Sequence, residues 1–137
     1  MLRLQGAPVE IIPPDLRGAI QPQVAVSPAG AIHVVFGKKE SGAIYHVAST
    51  DGGRIFSKPV KVGELPKLAL GMRRGPRIVA TGNVLAVTVI SHDDGNLHAW
   101  SSQDGGMAWK ESPNVNDAPK RAGEGLHAMA GNGAGKV

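Results

Sequence analysis

The sequence predicts an all-β fold assembled from repeated four-stranded antiparallel units, the blades of a β-propeller, and three observations predict it. The first is composition: 19 glycines and 10 prolines stand among 137 residues, which suits many short strands joined by turns. The second is an octapeptide that occurs twice. Ser49-Thr50-Asp51-Gly52-Gly53-Arg54-Ile55-Phe56 matches Ser102-Gln103-Asp104-Gly105-Gly106-Met107-Ala108-Trp109 in register, 53 residues apart. The register extends outward, and Gly42 to Pro66 aligned with Gly95 to Pro119 holds seven identities in 25 positions without a gap. The third is the spacing of short apolar runs: two precede each octapeptide, one leads into it and one follows. Four short strands in about 50 residues make one blade.

In the first unit, residues 20–66, the runs Gln23 to Val26 and Ala31 to Phe36 are split by the turn signal Ser27-Pro28-Ala29-Gly30. In the second, residues 74–119, Arg77 to Ala80 and Val84 to Ile90 are split by Thr81-Gly82-Asn83. The continuous apolar character of the second run in each unit fits a sheet covered on both faces. The runs after the octapeptides, around Val62 and Val115, are read as fourth, outer strands. A third unit is expected to begin within residues 124–137, with a strand over Gly125 to Ala130 and a turn at Gly131-Asn132-Gly133. Pro8 to Ile12 is read as an outer strand of a preceding or closing blade. Two and a half blades do not close a ring, so the chain is expected to be a fragment of a larger propeller.

Several functional classes are excluded early. There is no cysteine, which removes disulfide scaffolds, thiolate metal sites and cysteine nucleophiles. No apolar run approaches the roughly 20 residues of a membrane-crossing helix, so no membrane partner is expected. The first residues are too short and polar for a secretory signal. The net charge of +4 favours anionic partners, but the basic residues are scattered in small groups, Lys38-Lys39, Arg73-Arg74-Arg77 and Lys120-Arg121. With no reading helix and 4% aromatic residues, no nucleic-acid partner is expected. Neither a cofactor nor a metal site is expected, since His92 and His98 have no third ligand at a suitable spacing.

The octapeptides carry the pattern Ser-x-Asp-x-Gly-x-x-aromatic, and with it the chain resembles sialidase-type (neuraminidase) β-propellers with their Asp-box, or BNR, repeats. The resemblance covers about residues 20 to 137. It implies a six-bladed ring, an extracellular or periplasmic location, and structural roles for Ser49, Asp51, Gly53 and Phe56 and for Ser102, Asp104, Gly106 and Trp109. Physically, such an octapeptide is a hairpin turn. The Asp carboxylate accepts turn N–H groups, the serine adds a local bond, the glycine permits φ > 0, and the aromatic packs between blade sheets. The alternative role of Asp51 and Asp104 as catalytic acids is set well behind this one, because the resemblance places these turns on the face away from the active site.

In a meander blade alternate loops share a face, so the opposite face gathers Gly37 to Ser41, Gly63 to Gly75, Ser91 to Gly95 and Asn116 to Glu124. Gln23, Arg77 and His127 start the innermost runs at equivalent repeat positions. The resemblance implies that arginines from several blades clamp a sugar carboxylate, a task the planar guanidinium fork suits. Arg73, Arg74, Arg77 and Arg121, with Glu124 and His127, are therefore the candidate substrate-binding residues. Arg77-Ile78 matches the Arg-Ile of the family's Phe/Tyr-Arg-Ile-Pro motif, although Gly75-Pro76 precedes it and Val79 replaces the proline. A solvated arginine, or a partner for Asp93 or Asp94, is the alternative reading. Sialidases use a tyrosine nucleophile with an acid/base aspartate. Tyr45, the only tyrosine, is read as a packing residue, and the nucleophile is expected outside these residues. Asp93 and Asp94 are the acid/base candidates by loop position, with a polar turn as the competing reading.

Two functions follow as expectations. One is a sialidase-like, exo-α-sialidase type of glycoside hydrolase acting on acidic glycans such as sialosides, of which this chain is an incomplete part, inactive alone. The other is a non-catalytic propeller that binds a glycan or protein.

Overall fold

Each half of the chain folds as a meander. The structure, a computed structural model, describes residues 6–113 and 115–137. Strands β1 (Ile20–Val26), β2 (Ile32–Lys38), β3 (Ala43–Ser49) and β4 (Val60–Glu64) pair in chain order as one antiparallel sheet. Strands β5 (Arg77–Thr81), β6 (Val84–Ile90), β7 (Leu97–Ser102) and β8 (Lys110–Glu111) form a second sheet in the same way. The two sheets lie side by side with β5 next to β1, as two blades of a propeller. The predicted all-β, four-stranded architecture is therefore the observed one.

The repeat also explains how the blades meet. At the seam, Val35, Ile44, Val62 and Leu65 of the first blade and Leu68 of the inter-blade loop pack against Val87, Val89 and Trp100 of the second, with Ile78 and Trp109 beside them. The first-blade equivalents of Val87, Val89 and Trp100 are Val34, Phe36 and Val47, which line the opposite face of their sheet. Ile11, Ile12, Leu16 and Ala19 of the N-terminal segment cover that face. With cover on both sides, five successive residues of β2, from His33 to Gly37, are buried, which is why that run reads as continuously apolar. Val24 and Val26, the equivalents of Ile78 and Ala80, stay about 60% exposed on β1, beyond the reach of the N-terminal cover.

Three sequence expectations need correction. The fourth strand of the second blade ends at Glu111, and Val115 is exposed while its equivalent Val62 is buried in the seam. Pro113 has no N–H to continue the ladder at this point. The run Pro8 to Ile12 forms no strand; it packs by side chains, and a short 3-10 turn at Pro14–Leu16 follows it. Residues 125–130 pair in no ladder either, although they run beside β5 and in the same direction, with His127 near Arg77, Gly131 against Val79 and Thr81, and Gly135 against Gly82. That is the position β5 itself holds beside β1.

Glycine is what allows close approach at the seam. A Cβ on Gly63 would lie 2.5 Å from the Trp100 ring, so the bare backbone of β4 is what lets the indole lie flat against it.

Candidate functional site

The two octapeptide turns are built alike. Ser49 donates its hydroxyl to Asp51 Oδ1 at 2.8 Å and accepts the Gly53 N–H at 2.9 Å. Asp51 Oδ1 also accepts the N–H groups of Arg54 and Ile55, each at 3.0 Å. Ser102, Asp104, Gly106, Met107 and Ala108 repeat these bonds with the same lengths. Both glycines of each turn take positive φ, from 73° to 94°. The Ile55 N–H and then the Ser49 hydroxyl hold the Asp51 carboxyl below its ordinary range, and the Ala108 N–H and then Ser102 do the same for Asp104. A carboxylate bound this way orders a turn. The terminal aromatics differ: Trp109 lies at the seam between the blades, while Phe56 packs with the cluster on the far side of the first blade, under the N-terminal segment. Phe56 is therefore not between the two observed blades, because the second blade meets the opposite face of the first.

At the other end of the strands the inter-blade loop, the β6–β7 loop and the segment after β8 come together. His92 N–H donates to the Lys67 carbonyl at 3.0 Å, Ala122 N–H to the Gly95 carbonyl at 2.9 Å, and Lys120 N–H to Asn96 Oδ1 at 2.8 Å. Asn116 ties the same corner, accepting the Leu97 N–H and donating to Asn96 and to the Ala118 carbonyl. Lys67, Met72, Arg73 and Lys120 all adopt positive φ although none is glycine, so this face carries backbone strain that the surrounding bonds must hold.

Arg73, Arg74, Arg77, Glu124 and His127 meet here. Arg77 donates from Nη2 to the Arg73 carbonyl at 2.6 Å, from Nε to the His127 carbonyl at 3.3 Å and from Nη1 to the Pro76 carbonyl at 3.4 Å. Its fork is engaged with main-chain oxygens, and among the described residues it pairs with neither Asp93 nor Asp94. Arg74 reaches the Glu124 carbonyl at 3.5 Å and the Glu124 carboxylate at 3.9 Å, and its Nε is buried with no partner. His127 donates from Nε2 to the Thr88 carbonyl at 3.2 Å; burial lowers its pKa, the carbonyl opposes the shift, and Arg77 adds to it. Arg73 and Arg121 are exposed, and among the described residues their guanidinium groups enter no ion pair.

The two acid/base candidates lie apart in role. Asp93 pairs with Lys67 at 3.3 Å on the surface. Asp94 closes the β6–β7 turn through the Asn96 N–H at 3.0 Å and holds His98 Nε2 at 2.8 Å. Partial burial alone would raise the Asp94 carboxyl, but the bonds from Asn96 and His98 outweigh it and its pKa is lowered. That makes it a poor proton donor near neutral pH. Tyr45 is half-buried and stacks on Phe36 at 6.1 Å between centroids, in the cluster on the far side of the first blade.

The partners Lys67, Asn96 and Asn116 were not singled out from sequence, since loop-to-loop bonds between residues 19 or more apart leave no local pattern. The guanidinium groups of Arg74 and Arg77 are engaged here, Arg74 only by long contacts, while those of Arg73 and Arg121 are exposed. Among the described residues no group of three metal-ligating side chains assembles, and no helix is long and apolar enough to cross a membrane.

No protein-family model and no curated protein matches the chain. Among solved structures, the backbone is similar to that of the Hadza microbial sialidase Hz136, with TM-score 0.51 and 18% identity, over 77% of this chain and 26% of that one. At that identity the likeness concerns the fold, which is sialidase-like. The chain spans about a quarter of the length of that sialidase.

Proposed function

We propose that the chain supplies the arginine-bearing face of a sialidase-like glycoside hydrolase acting on acidic glycans, sialosides among them. The observation that carries the proposal is the convergence of Arg73, Arg74 and Arg77 with Glu124 and His127 at one end of the innermost strands. The sialidase-like backbone supports it. A sugar carboxylate would be received by the forks of Arg73 and Arg74, with Arg121 approaching from the neighbouring loop. Arg77 would position the corner by holding three carbonyls, and Asp93 is the better placed of the two acids to meet a substrate from solution.

A second reading, a propeller that binds an acidic glycan without cleaving it, is favoured by two observations. Tyr45 is stacked in a packing cluster, and Asp94 is committed to its turn. Hydrolysis of a fluorogenic sialoside by the intact gene product, beside Arg73→Ala and Arg74→Ala variants, separates the readings. Turnover lost at least tenfold in both variants supports the hydrolase. Absence of turnover with saturable sialoside binding, weakened in the same variants, supports the binding propeller. Neither turnover nor binding would remove the acidic-glycan assignment altogether.

A further inference from the structure

The seam between the blades buries a histidine pair that the proposed function does not use. His33 on β2 and His46 on β3 are 4% and 1% exposed. Their rings stack with centroids 5.2 Å apart and 22° between planes, and His33 Nδ1 lies 3.0 Å from His46 Nε2. One of these nitrogens donates and the other accepts, so the contact needs at least one neutral imidazole.

The second octapeptide closes over the pair. Trp109 meets the His46 ring edge-on at 5.4 Å and 65°. Gly106 lies so near that a Cβ there would strike the imidazole. His46 Nδ1 is shut off from solvent with no hydrogen-bond partner. Two clefts, of about 720 and 390 Å³, flank the turn; His46 borders the larger and His33 the smaller. The second blade has no such pair, for the equivalent positions are Ala86 and Ala99.

We propose that His33 and His46 form an acid-released latch that clamps the second octapeptide turn onto the first blade. Closed, the latch leaves no favourable place for an added proton on His46. A doubly protonated His46 would carry a buried charge and an Nδ1–H without an acceptor. Burial, and then the neighbouring His33, push the His46 pKa down to about 4, and burial lowers His33 as well. The charged groups around the pair do not compensate. Asp104 borders both clefts and Asp51 the larger one, but each spends an oxygen on its own turn, and Lys58 across the larger cleft is itself a cation. Ala25 and Val60, which pair with the two histidines from β1 and β4, and Gly106 and Trp109 above them carry no charge.

When the turn lifts, both rings meet water and titrate near the ordinary value of about 6.5. The open form therefore takes up protons that the closed form refuses. The latch is fully in place above about pH 6.5 and weakens as pH falls toward 4. The opening equilibrium rises up to about tenfold per pH unit for each proton taken up.

The two repeats supply their own control. The amides of Gly53 and Gly106 each donate to their turn serine at 2.9 Å, and only Gly106 sits on the pair. Hydrogen exchange of both amides in the full chain, corrected for intrinsic rates, is measured from pH 7.5 to 4.5. The expected result is protection at Gly106 that falls on the order of tenfold per pH unit below 6.5 relative to Gly53. His46→Phe, which keeps a ring against Trp109, should abolish that difference. Parallel behaviour of the two amides in the native protein would overturn the proposal, as would an unchanged pH response in His46→Phe. Should that variant not fold, the His46 ring resonance of the native protein decides. Titration below pH 5 in the closed state supports the latch, and ordinary titration near 6.5 with Gly106 still protected overturns it.

Discussion

In both blades the octapeptide turn makes the same bonds with the same lengths, yet the strands behind it present different side chains to their neighbours. His33, Val47 and Phe56 in the first blade stand where the second has Ala86, Trp100 and Trp109. The turn needs nothing but its own eight residues, so it can be copied into any blade. The faces cannot be copied, because each must fit what lies beside it. The first blade's near face meets a thin N-terminal segment, whereas the second blade's near face meets a whole sheet.

The largest effect should come from the residues that mark this contrast. Trp100→Ala removes the indole that fills the seam over Gly63 and should cost about 3–5 kcal/mol. Val47→Ala, at the equivalent position, deletes two methyl groups and should cost about 2 kcal/mol. Urea denaturation of the two variants measures both. Equal losses would mean that the N-terminal segment packs as firmly as a blade.

The turns are expected to break alike. Asp51→Asn and Asp104→Asn each replace a charged acceptor that takes two N–H groups and a serine hydroxyl, and both should lower the melting temperature by similar amounts at pH 7. Both carboxyls have lowered pKa values in the folded chain, so their stabilisation is present above the unfolded value near 3.8 and fades as pH falls further. The histidine pair acts in a different window. His46 is depressed to about 4, so the stability tied to its neutral form is lost between about pH 6.5 and 4, before the aspartates respond. Melting temperatures taken every half unit from pH 7.5 to 3 should show two limbs, and the Asn variants should flatten only the lower one.

The contrast also explains what could be read from the residues alone. Strand order, blade composition and the turn bonds follow from short-range pattern: alternation of apolar runs, a glycine pair for positive φ, and Ser and Asp at fixed offsets. The convergence of Arg73, Arg74 and Arg77 near Glu124 and His127 follows from meander topology, which sends alternate loops to one face. Side-chain commitments did not follow. The three carbonyls that occupy Arg77 belong to residues 73, 76 and 127, and the neighbour that explains His46 is a glycine 60 positions away. Sheet ends were also hidden, since β8 stops at Glu111 where a proline interrupts the ladder and not where the repeat alignment would place it.

A smaller loss is expected at the corner that holds the last segment beside β5. Arg77→Ala removes three donors from loop carbonyls and should cost about 1–2 kcal/mol, with faster exchange at the Gly135 amide, which donates to Thr81. Arg77→Lys should recover little, because one ammonium cannot span three carbonyls that the fork reaches together.

The smallest effect belongs to the exposed ion pair of Lys67 and Asp93. At 3.3 Å between side chains that are both exposed, the pair should contribute no more than about 0.5 kcal/mol, and Lys67→Ala and Asp93→Asn should unfold within that margin of the native chain. This near-neutrality makes the position useful. Asp94→Asn disturbs the turn that Asn96 and His98 complete, so any loss of turnover there would be confounded with a loss of structure. Asp93→Asn is free of that ambiguity: a large fall in sialoside turnover at unchanged stability would assign it a part in proton transfer. Unchanged turnover would leave the pair as a surface contact and move the acid to another blade.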